Sequence, residues 1–249
     1  MATYKEIQGF AVQNFSQDPV PTVAGWTSGG NLNTTRRGLG NGPNGTQTAA
    51  LGFGGITSTG IVNATEEYDG SSWTTVTSLS TARQSLGSAG TQTSALGFGG
   101  YVPPFSAATE EYDGSSWTGG GSMSTARFIL GGAGTQTAGL AVGGYGPNYA
   151  NATEEYDGSS WTAGGSLPAA IAGLTAMGIQ TAALAVGGQV SGPTTVGTSY
   201  EYGGTSWTAG GTLNTARRYL AGAGLQTAGL VFAGGSWPPV TTETESYDG

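Results

Sequence analysis

The stretch GTQTSALGFGGYVPPFSAATEEYDGSSW, from Gly90 to Trp117, recurs in altered form along the whole chain. Its best-kept parts are a Gly-x-Gln-Thr turn, a Gly-Gly pair, a Glu-Tyr-Asp-Gly group and a tryptophan. The glutamines of the turn lie 44 to 46 residues apart, at Gln47, Gln92, Gln136, Gln180 and Gln226. A fixed period of this length is typical of proteins built from stacked or radially arranged repeats. Five copies therefore decide the architecture, and the differences between them become the place to look for function.

Within one copy, short apolar runs alternate with turn-forming residues. Ser94–Phe98 is an apolar run that stops at Gly99-Gly100, the next run is 108–112, and Trp117 opens another. This pattern predicts four short antiparallel strands per copy. The Asp-Gly pair before the last strand is a hairpin signal, because both residues tolerate positive φ. Four such strands in each copy predict the blade of a β-propeller.

The first strand of each copy is rich in glycine and alanine, as in the runs 130–134 and 220–224. In a propeller the innermost strands crowd around the central axis, and small residues let their backbones approach closely. The crowding is worst when blades are few. The fold prediction is therefore an all-β, five-bladed propeller with four antiparallel strands per blade.

The two ends of the chain predict how the ring closes. The last copy stops at residues 245–249, at the point where the other copies continue to a tryptophan. The repeat region begins with Trp26, which no Tyr-Asp-Gly group precedes. The N-terminal strand of Trp26 is thus expected to complete the C-terminal blade, which removes open sheet edges. Residues 21–249 form the propeller in this prediction, and residues 1–20 are an N-terminal extension and a candidate attachment segment.

Composition excludes several classes of function. The formal net charge of -8 disfavours nonspecific nucleic-acid binding, which needs a basic surface. The chain has no cysteine and no histidine, and so lacks the commonest general base and transition-metal ligand. No calcium-loop spacing is present. We expect no metal, no cofactor, no signal peptide and no membrane insertion.

The glycine pair, the tyrosine and the tryptophan together resemble the kelch repeat. The matching residues in one copy are Gly99, Gly100, Tyr112 and Trp117, and the resemblance covers nearly all of residues 22–249. Kelch repeats form β-propellers, which host many unrelated activities, so the resemblance implies a fold and not a function. Five copies are fewer than is typical of that family.

The chain as a whole is similar to kelch-like proteins of tailed bacteriophages, particularly marine ones. The similarity lies in the start MATYKEI, residues 1–7, and in the Thr-Ala-Arg and Gly-Thr-Gln-Thr repeats. It implies a virion protein, made in the host cytoplasm, that takes part in host recognition. The implied partners are a host surface glycan or protein, or other virion proteins.

The repeated acidic and aromatic residues are expected to be structural. Pairs such as Glu110-Glu111 could suggest a carboxylate pair for glycoside hydrolysis, but they recur at one repeat position, and an active site rarely needs symmetric copies. The tryptophans and tyrosines could stack on sugars, yet their strict repetition favours packing between blades. A noncatalytic protein is therefore expected, with a carbohydrate-active enzyme as the less favoured alternative.

One basic position leaves two interpretations open. It occurs at the start of the innermost strand and holds Arg36, Arg83, Arg127 and Arg217, with Ile171 in the remaining copy. Arginines converging at the axis would form an anion-attracting ring. The alternative is a set of inter-blade salt bridges to the repeated glutamates.

The loops after the Gly-Gly pairs differ most between copies. Framework residues that are kept beside loops that vary are typical of a binding face on a rigid scaffold. Aromatic side chains are frequent in these loops, and they can stack on sugar rings or anchor a protein partner. The predicted ligand-binding residues are Tyr101, Phe105, Tyr145, Tyr149 and Trp237.

The predicted function is a noncatalytic tail-fibre or receptor-binding protein. The alternative is a purely structural virion decoration or protein-interaction module attached through residues 1–20.

Overall fold

A computed structural model describes residues 28–192, 194–236 and 240–249 of the chain. Over these residues the protein is all-β: the strands form five antiparallel sheets, and no helix occurs among them. The innermost strands of successive sheets lie next to each other around one axis. The predicted five-bladed β-propeller is therefore confirmed.

The blades are numbered in chain order. Blade 1 contains β1 (Gly40–Asn41), β2 (Ala50–Phe53), β3 (Thr65–Tyr68) and β4 (Trp73–Val76). Blade 2 contains β5 (Gly87–Thr91), β6 (Ser94–Phe98), β7 (Thr109–Tyr112) and β8 (Trp117–Gly120). Blade 3 contains β9 (Gly131–Gly134), β10 (Gly139–Val142), β11 (Thr153–Tyr156) and β12 (Trp161–Ala163). Blade 4 contains β13 (Thr175–Ile179), β14 (Ala182–Val186), β15 (Thr198–Tyr202) and β16 (Trp207–Thr212). Blade 5 contains β17 (Ala221–Leu225), β18 (Ala228–Phe232) and β19 (Thr244–Tyr247).

The small residues of the inner strands permit the expected close approach. A Cβ atom added at Gly132 in β9 would lie 2.2 Å from the carbonyl oxygen of Ser88 in β5. No side chain can exist at that distance from a neighbouring backbone, so glycine is required there. The narrow ring thus depends on the composition of its innermost strands.

The predicted Asp-Gly hairpin has a different geometry from the one expected. Tyr112 pairs with Trp117 across a four-residue loop, in which Gly114 has a φ of 90° but Asp113 is not left-handed. The Asp113 carboxylate instead accepts hydrogen bonds from the backbone N–H groups of Ser115 and Ser116, at 2.8 and 2.7 Å. The aspartate therefore serves as a side-chain cap of the turn.

Neighbouring blades are joined by aromatic packing, as the sequence predicted. Trp117 of blade 2 lies 4.7 Å from the ring of Phe53 in blade 1 and donates its indole N–H to Thr65 of the same blade at 3.0 Å. The hydroxyl of Tyr112 donates to Glu67 of blade 1 at 2.9 Å. Equivalent contacts recur between blades 2 and 3 and between blades 3 and 4.

The turn glutamines have a second role that the sequence did not reveal. The side-chain amide of Gln136 in blade 3 donates to the carbonyls of Ala95 and Tyr112 in blade 2, at 3.1 and 2.6 Å. Gln92, Gln180 and Gln226 make the same pair of bonds to the preceding blade. Each of these four glutamines thus clamps its blade to the one before it.

Residues 28–30 lie against blade 1. A Cβ added at Gly29 would lie 2.6 Å from the hydroxyl oxygen of Tyr68 in blade 1. Gly120 at the end of β8 stands in the same relation to Tyr156 of blade 3, at 2.4 Å. Gly29 follows Trp26 by the spacing with which Gly120 follows Trp117. Trp26 and residues 1–20 lie outside the described residues, so the strand assigned to Trp26 and the attachment segment stay predictions.

Candidate functional site

The propeller has two unlike faces. One face, which we call the loop face, carries the segment that leads into each inner strand and the loop that follows each Gly-Gly pair. The opposite face, the turn face, carries the glutamine turns and the Asp-capped turns. The register fixes this division, because Gly87 pairs with Phe98 at one end of the β5–β6 hairpin and Thr91 pairs with Ser94 at the other.

The loops are anchored to the lead-in segments by backbone pairing. Tyr101 donates its N–H to the Gln84 carbonyl at 2.7 Å, and Gln84 donates back at 3.3 Å. Phe128 and Tyr145 pair in the same way, at 2.8 and 2.9 Å. Blades 1 to 4 therefore each present two adjoining side chains at the mouth of the axis, one from the lead-in and one from the loop. In blade 5 the loop partner is Gly235, so only the lead-in residue has a side chain there.

Four of the five predicted loop residues come together in one aromatic cluster. Phe105 lies between the two tyrosines that open the loops of blades 2 and 3, with ring centroids 6.2 Å from Tyr101 and 6.3 Å from Tyr145. Tyr149 joins through Tyr145, at 5.1 Å. All four side chains are partly exposed. The predicted Trp237 lies outside the described residues.

Phe128 is the cluster member that the sequence did not predict. It stacks on Phe105 at 5.4 Å with an interplanar angle of 15°, and it touches Tyr101 and Tyr145 at 5.5 and 5.9 Å. Phe128 belongs to the lead-in position and not to a loop. That position varies as strongly as the loops do, with Arg37, Gln84, Phe128, Ala172 and Arg218. This variation is the signal that could have identified it.

The aromatic cluster, defined as Tyr101, Phe105, Phe128, Tyr145 and Tyr149, spans blades 2 and 3 on the loop face. Partly exposed rings with edge-to-face contacts hold one another in place and leave ring surface free for a ligand. Such a surface suits the apolar face of a sugar ring or an aliphatic or aromatic side chain of a protein partner. It contains no nucleophile or acid–base pair.

The four predicted ring arginines are buried, and each is paired with a glutamate. Arg36 lies 2.8 Å from Glu66, Arg127 lies 2.7 Å from Glu154, and Arg83 contacts Glu110. Arg217 contacts Glu245 at 2.8 Å and Glu243 at 3.5 Å. Of the two interpretations, the salt bridge is the one whose contacts are present.

The location of these pairs corrects the expectation of inter-blade bridges. Arg127 leads into blade 3, and Glu154 lies in β11 of the same blade. The guanidinium also donates to the carbonyls of Gly143 and Ala152, both at 2.8 Å, within that blade. Burial lowers the pKa of Arg127, while the charge of Glu154 opposes this shift. The pair fastens the lead-in segment to its own sheet and leaves no guanidinium of the set at the mouth.

Blade 4 has lost both partners of the pair at once. Ile171 stands at the arginine position and is buried, and Tyr200 stands opposite Ala185, where Glu154 stands opposite Ala141 in blade 3. Tyr200 packs against the core cluster that contains Ile171. Replacing both charges together avoids a lone buried charge, whose penalty would be large.

The remaining repeated glutamates also have structural partners. Glu67, Glu111, Glu155 and Glu201 each accept a hydrogen bond from the tyrosine hydroxyl of the next blade. Removal from water and the bond to Glu155 raise the pKa of Tyr202 to about 12. The carboxylates that could have formed a hydrolytic pair are thus engaged in holding the ring together. Within the described ranges, no group of acidic side chains is arranged to hold a metal ion.

Comparison with known proteins adds no assignment. No family model matches the chain, and no curated protein matches it significantly. In the described part of the chain, no helix is long and apolar enough to cross a membrane. The fold is established as a five-bladed β-propeller built from repeats.

Proposed function

We propose that this protein is a noncatalytic binding protein whose loop face recognises a surface glycan or protein through the aromatic cluster. The observation that carries the proposal is the convergence of five aromatic side chains at the one face where the repeats differ. Elsewhere the repeated residues serve the turns, the blade interfaces and the buried ion pairs. A fixed scaffold with varied, partly exposed aromatics supports recognition and not chemistry.

The biological setting that we propose rests on the kelch-like sequence pattern and on the resemblance of the chain to proteins of tailed bacteriophages. We propose that the protein is a virion component of the tail-fibre or receptor-binding type, and that its ligand is on the host surface. The absence of histidine and cysteine from the sequence, together with the engaged glutamates, supports a noncatalytic role.

A glycan array tests the proposal directly. We expect the wild-type protein to bind a limited set of glycans, and the Tyr101→Ala/Tyr145→Ala variant to lose that binding. Gln189→Ala is the matched control, because Gln189 occupies in blade 4 the loop position of Tyr145 and pairs with Ala172 in the same way. Unchanged binding by the double tyrosine variant would refute the role of the aromatic cluster.

A purely structural virion module makes a different prediction. It would bind no glycan, and deletion of residues 1–20 would abolish its incorporation into virions while the propeller stays folded. Normal incorporation after that deletion would exclude this attachment. Release of reducing sugars from a host polysaccharide would point instead to the enzyme alternative.

A further inference from the structure

A basic pair lies on the loop face beside the mouth of the axis. Arg37 and Arg218 occupy the lead-in position of blades 1 and 5, the position that Phe128 occupies in blade 3. Arg37 donates its backbone N–H to Ile56 at 3.1 Å, and Arg218 donates to Gly235 at 3.1 Å. This is the pairing that fixes Phe128 to Tyr145. The two arginines therefore share the face and the radial position of the aromatic cluster.

The residues that follow the two lead-in positions line one cavity. A cavity of about 280 Å³ lies at the mouth and is lined by residues from all five blades, among them Gly38, which follows Arg37, and Tyr219, which follows Arg218. The residues after each lead-in position have positive φ, including the non-glycine residues Ser85, Ile129 and Tyr219. Their backbones are hydrogen bonded from blade to blade, for example from the Tyr219 N–H to the Gly173 carbonyl at 2.8 Å. The mouth is thus a fixed frame on which the lead-in side chains stand.

These two arginines differ in charge balance from the four buried ones. Within the described ranges, no carboxylate forms an ion pair with Arg37 or Arg218. The guanidinium of Arg218 lies 5.1 Å from the ring centroid of Tyr219. The half-exposed Glu243 of blade 5 contacts Arg217 at 3.5 Å.

The exposed aspartates of the turns lie on the other face. They are Asp69, Asp113, Asp157 and Asp248. Hydrogen bonds from Ser115 and Ser116 lower the pKa of Asp113 to about 2, and those from Ser160 and Ser159 lower the pKa of Asp157 to about 2. The carboxylates of Asp113 and Asp157 therefore keep their negative charge at neutral pH. In the part of the chain that the structure describes, the turn carboxylates thus lie on one face and two arginines without an ion pair lie on the other.

From this arrangement we infer that Arg37 and Arg218 form an anion-binding subsite of the loop face, and that the ligand is an acidic saccharide. The inference rests on the proposed function and specifies its ligand. The aromatic cluster stacks on a sugar ring, while the guanidinium groups bind the carboxylate or sulfate group of a neighbouring unit. Planar, paired donors suit such groups, and an acidic macromolecule of net charge -8 attracts an anion only where basic charge is concentrated.

The first test needs no glycan. Arginine Nε–H resonances are recorded by NMR while inorganic tripolyphosphate is added at low ionic strength. We expect saturable shifts of the Arg37 and Arg218 signals, with the buried Arg127 signal unchanged. The absence of a saturable shift at both arginines would overturn the subsite, whatever glycan the protein binds.

The second test separates the subsite from the proposed function. Binding of an oligogalacturonate hexamer is compared with binding of its carboxyl-reduced, neutral counterpart and of a sulfated heparin hexasaccharide. We expect an acidic probe to bind at least about tenfold more tightly than the neutral one, and the double arginine variant to lose this preference. Arg37→Lys/Arg218→Lys should keep part of it, because the charge remains while the paired donors are lost.

The outcomes are distinguishable. If Tyr101→Ala/Tyr145→Ala removes glycan binding while Arg37→Gln/Arg218→Gln changes neither affinity nor its dependence on salt, the proposed function holds and the anion subsite is refuted. If no glycan binds but the tripolyphosphate shifts occur, the proposed glycan recognition fails while the anion subsite stands.

Discussion

At the scale of single residues, the buried Arg–Glu pairs show how strongly one position depends on another. Arg127 and Glu154 lie in the interior of blade 3, where a lone charge would be poorly solvated. Breaking a buried pair by removing one partner is typically costly, whereas replacing both partners with packed apolar groups is often neutral. Blade 4 already shows the second case, with Ile171 and Tyr200.

We predict that Arg127→Ile alone lowers the free energy of unfolding by about 3–5 kcal/mol, because it leaves Glu154 charged and buried. The double variant Arg127→Ile/Glu154→Tyr copies the pair of blade 4, and we expect it to recover most of that loss. Chemical denaturation of the three proteins measures the difference. Equal destabilisation by the single and double variants would show that the two positions are not coupled.

The pairing was only half accessible from the sequence. The repetition of the arginines and of the glutamates was visible, and their salt bridge was one of two interpretations. Whether the arginines line the mouth of the axis or form buried pairs depends on the direction in which each lead-in segment points their side chains. In blade 3, Arg127 donates hydrogen bonds to the carbonyls of Gly143 and Ala152, which hold its side chain inside the blade. The joint change to Ile171 and Tyr200 is a signal within the sequence that would have favoured the pair.

At the scale of elements, the blades are joined by a small set of repeated polar contacts. The glutamine clamp is one of them, and its two acceptors are backbone carbonyls of the preceding blade. We predict that Gln136→Ala lowers the free energy of unfolding by about 1–3 kcal/mol, because three hydrogen bonds across the blade interface are lost: the two to backbone carbonyls and the one that Gln136 accepts from the Ser94 hydroxyl. Denaturation curves measure this. Thr137→Ala, an exposed neighbour in the same turn, is the control and should change stability by less than about 0.5 kcal/mol; a similar loss in both variants would argue against the clamp.

The tyrosine hydroxyls at the blade interfaces predict a loss of stability in alkaline solution. Burial and the bond to Glu155 raise the pKa of Tyr202 to about 12, and burial followed by the bond to Glu67 raises that of Tyr112 further. When the pKa of a tyrosine is higher in the folded than in the unfolded state, its contribution to the free energy of unfolding is fully present below the unfolded pKa, near 10. The contribution is lost as the pH rises toward the folded pKa. We therefore expect the unfolding midpoint to fall from about pH 10 upward.

An ultraviolet titration of tyrosine ionisation, run beside the unfolding curves, tests this expectation. The interface tyrosines should ionise only together with unfolding. Tyr202→Phe should flatten the alkaline part of the profile, although it also removes a hydrogen bond to a carboxylate and lowers stability at neutral pH by about 1.5–3 kcal/mol. Ionisation of all tyrosines near pH 10 in the folded protein would contradict the prediction.

At the scale of the whole molecule, the sequence predicts that the strand of Trp26 closes the ring by completing blade 5. Val186, Ser199 and Tyr247 lie close together where blades 4 and 5 meet. The equivalent residues around Trp117 are Phe53 and Thr65 of the preceding blade and Tyr112 of its own. The boundary of blades 4 and 5 therefore has side chains at the positions that surround the tryptophan of blade 2.

We predict that Trp26→Ala destabilises the propeller by about 3–5 kcal/mol, the usual cost of truncating a buried tryptophan. Trp161→Ala, at the equivalent position of blade 3, is the matched comparison. Thermal unfolding of the two variants should give similar losses if the strand of Trp26 completes blade 5. An unchanged midpoint for Trp26→Ala would contradict the predicted closure.

The repeat made the architecture predictable, because five copies of a unit with four short strands are typical of a five-bladed β-propeller. The loop residues of the candidate site were predictable for the same reason, because variation stood out against a constant frame. Phe128, Arg37 and Arg218 were missed because each follows a repeated arginine in the lead-in segment and joins the face only through backbone pairing with the loops. That pairing is a contact between distant parts of the chain, which periodicity alone does not reveal.

The most direct test of a recognition function on the loop face is a hydroxyl-radical footprint of the protein with and without saturating amounts of the tightest glycan from the array. We expect protection of Tyr101, Phe105, Tyr145 and Tyr149, with the turn-face segment 113–116 unchanged. Protection of the turn face with an unprotected aromatic cluster would contradict the assignment of binding to the loop face.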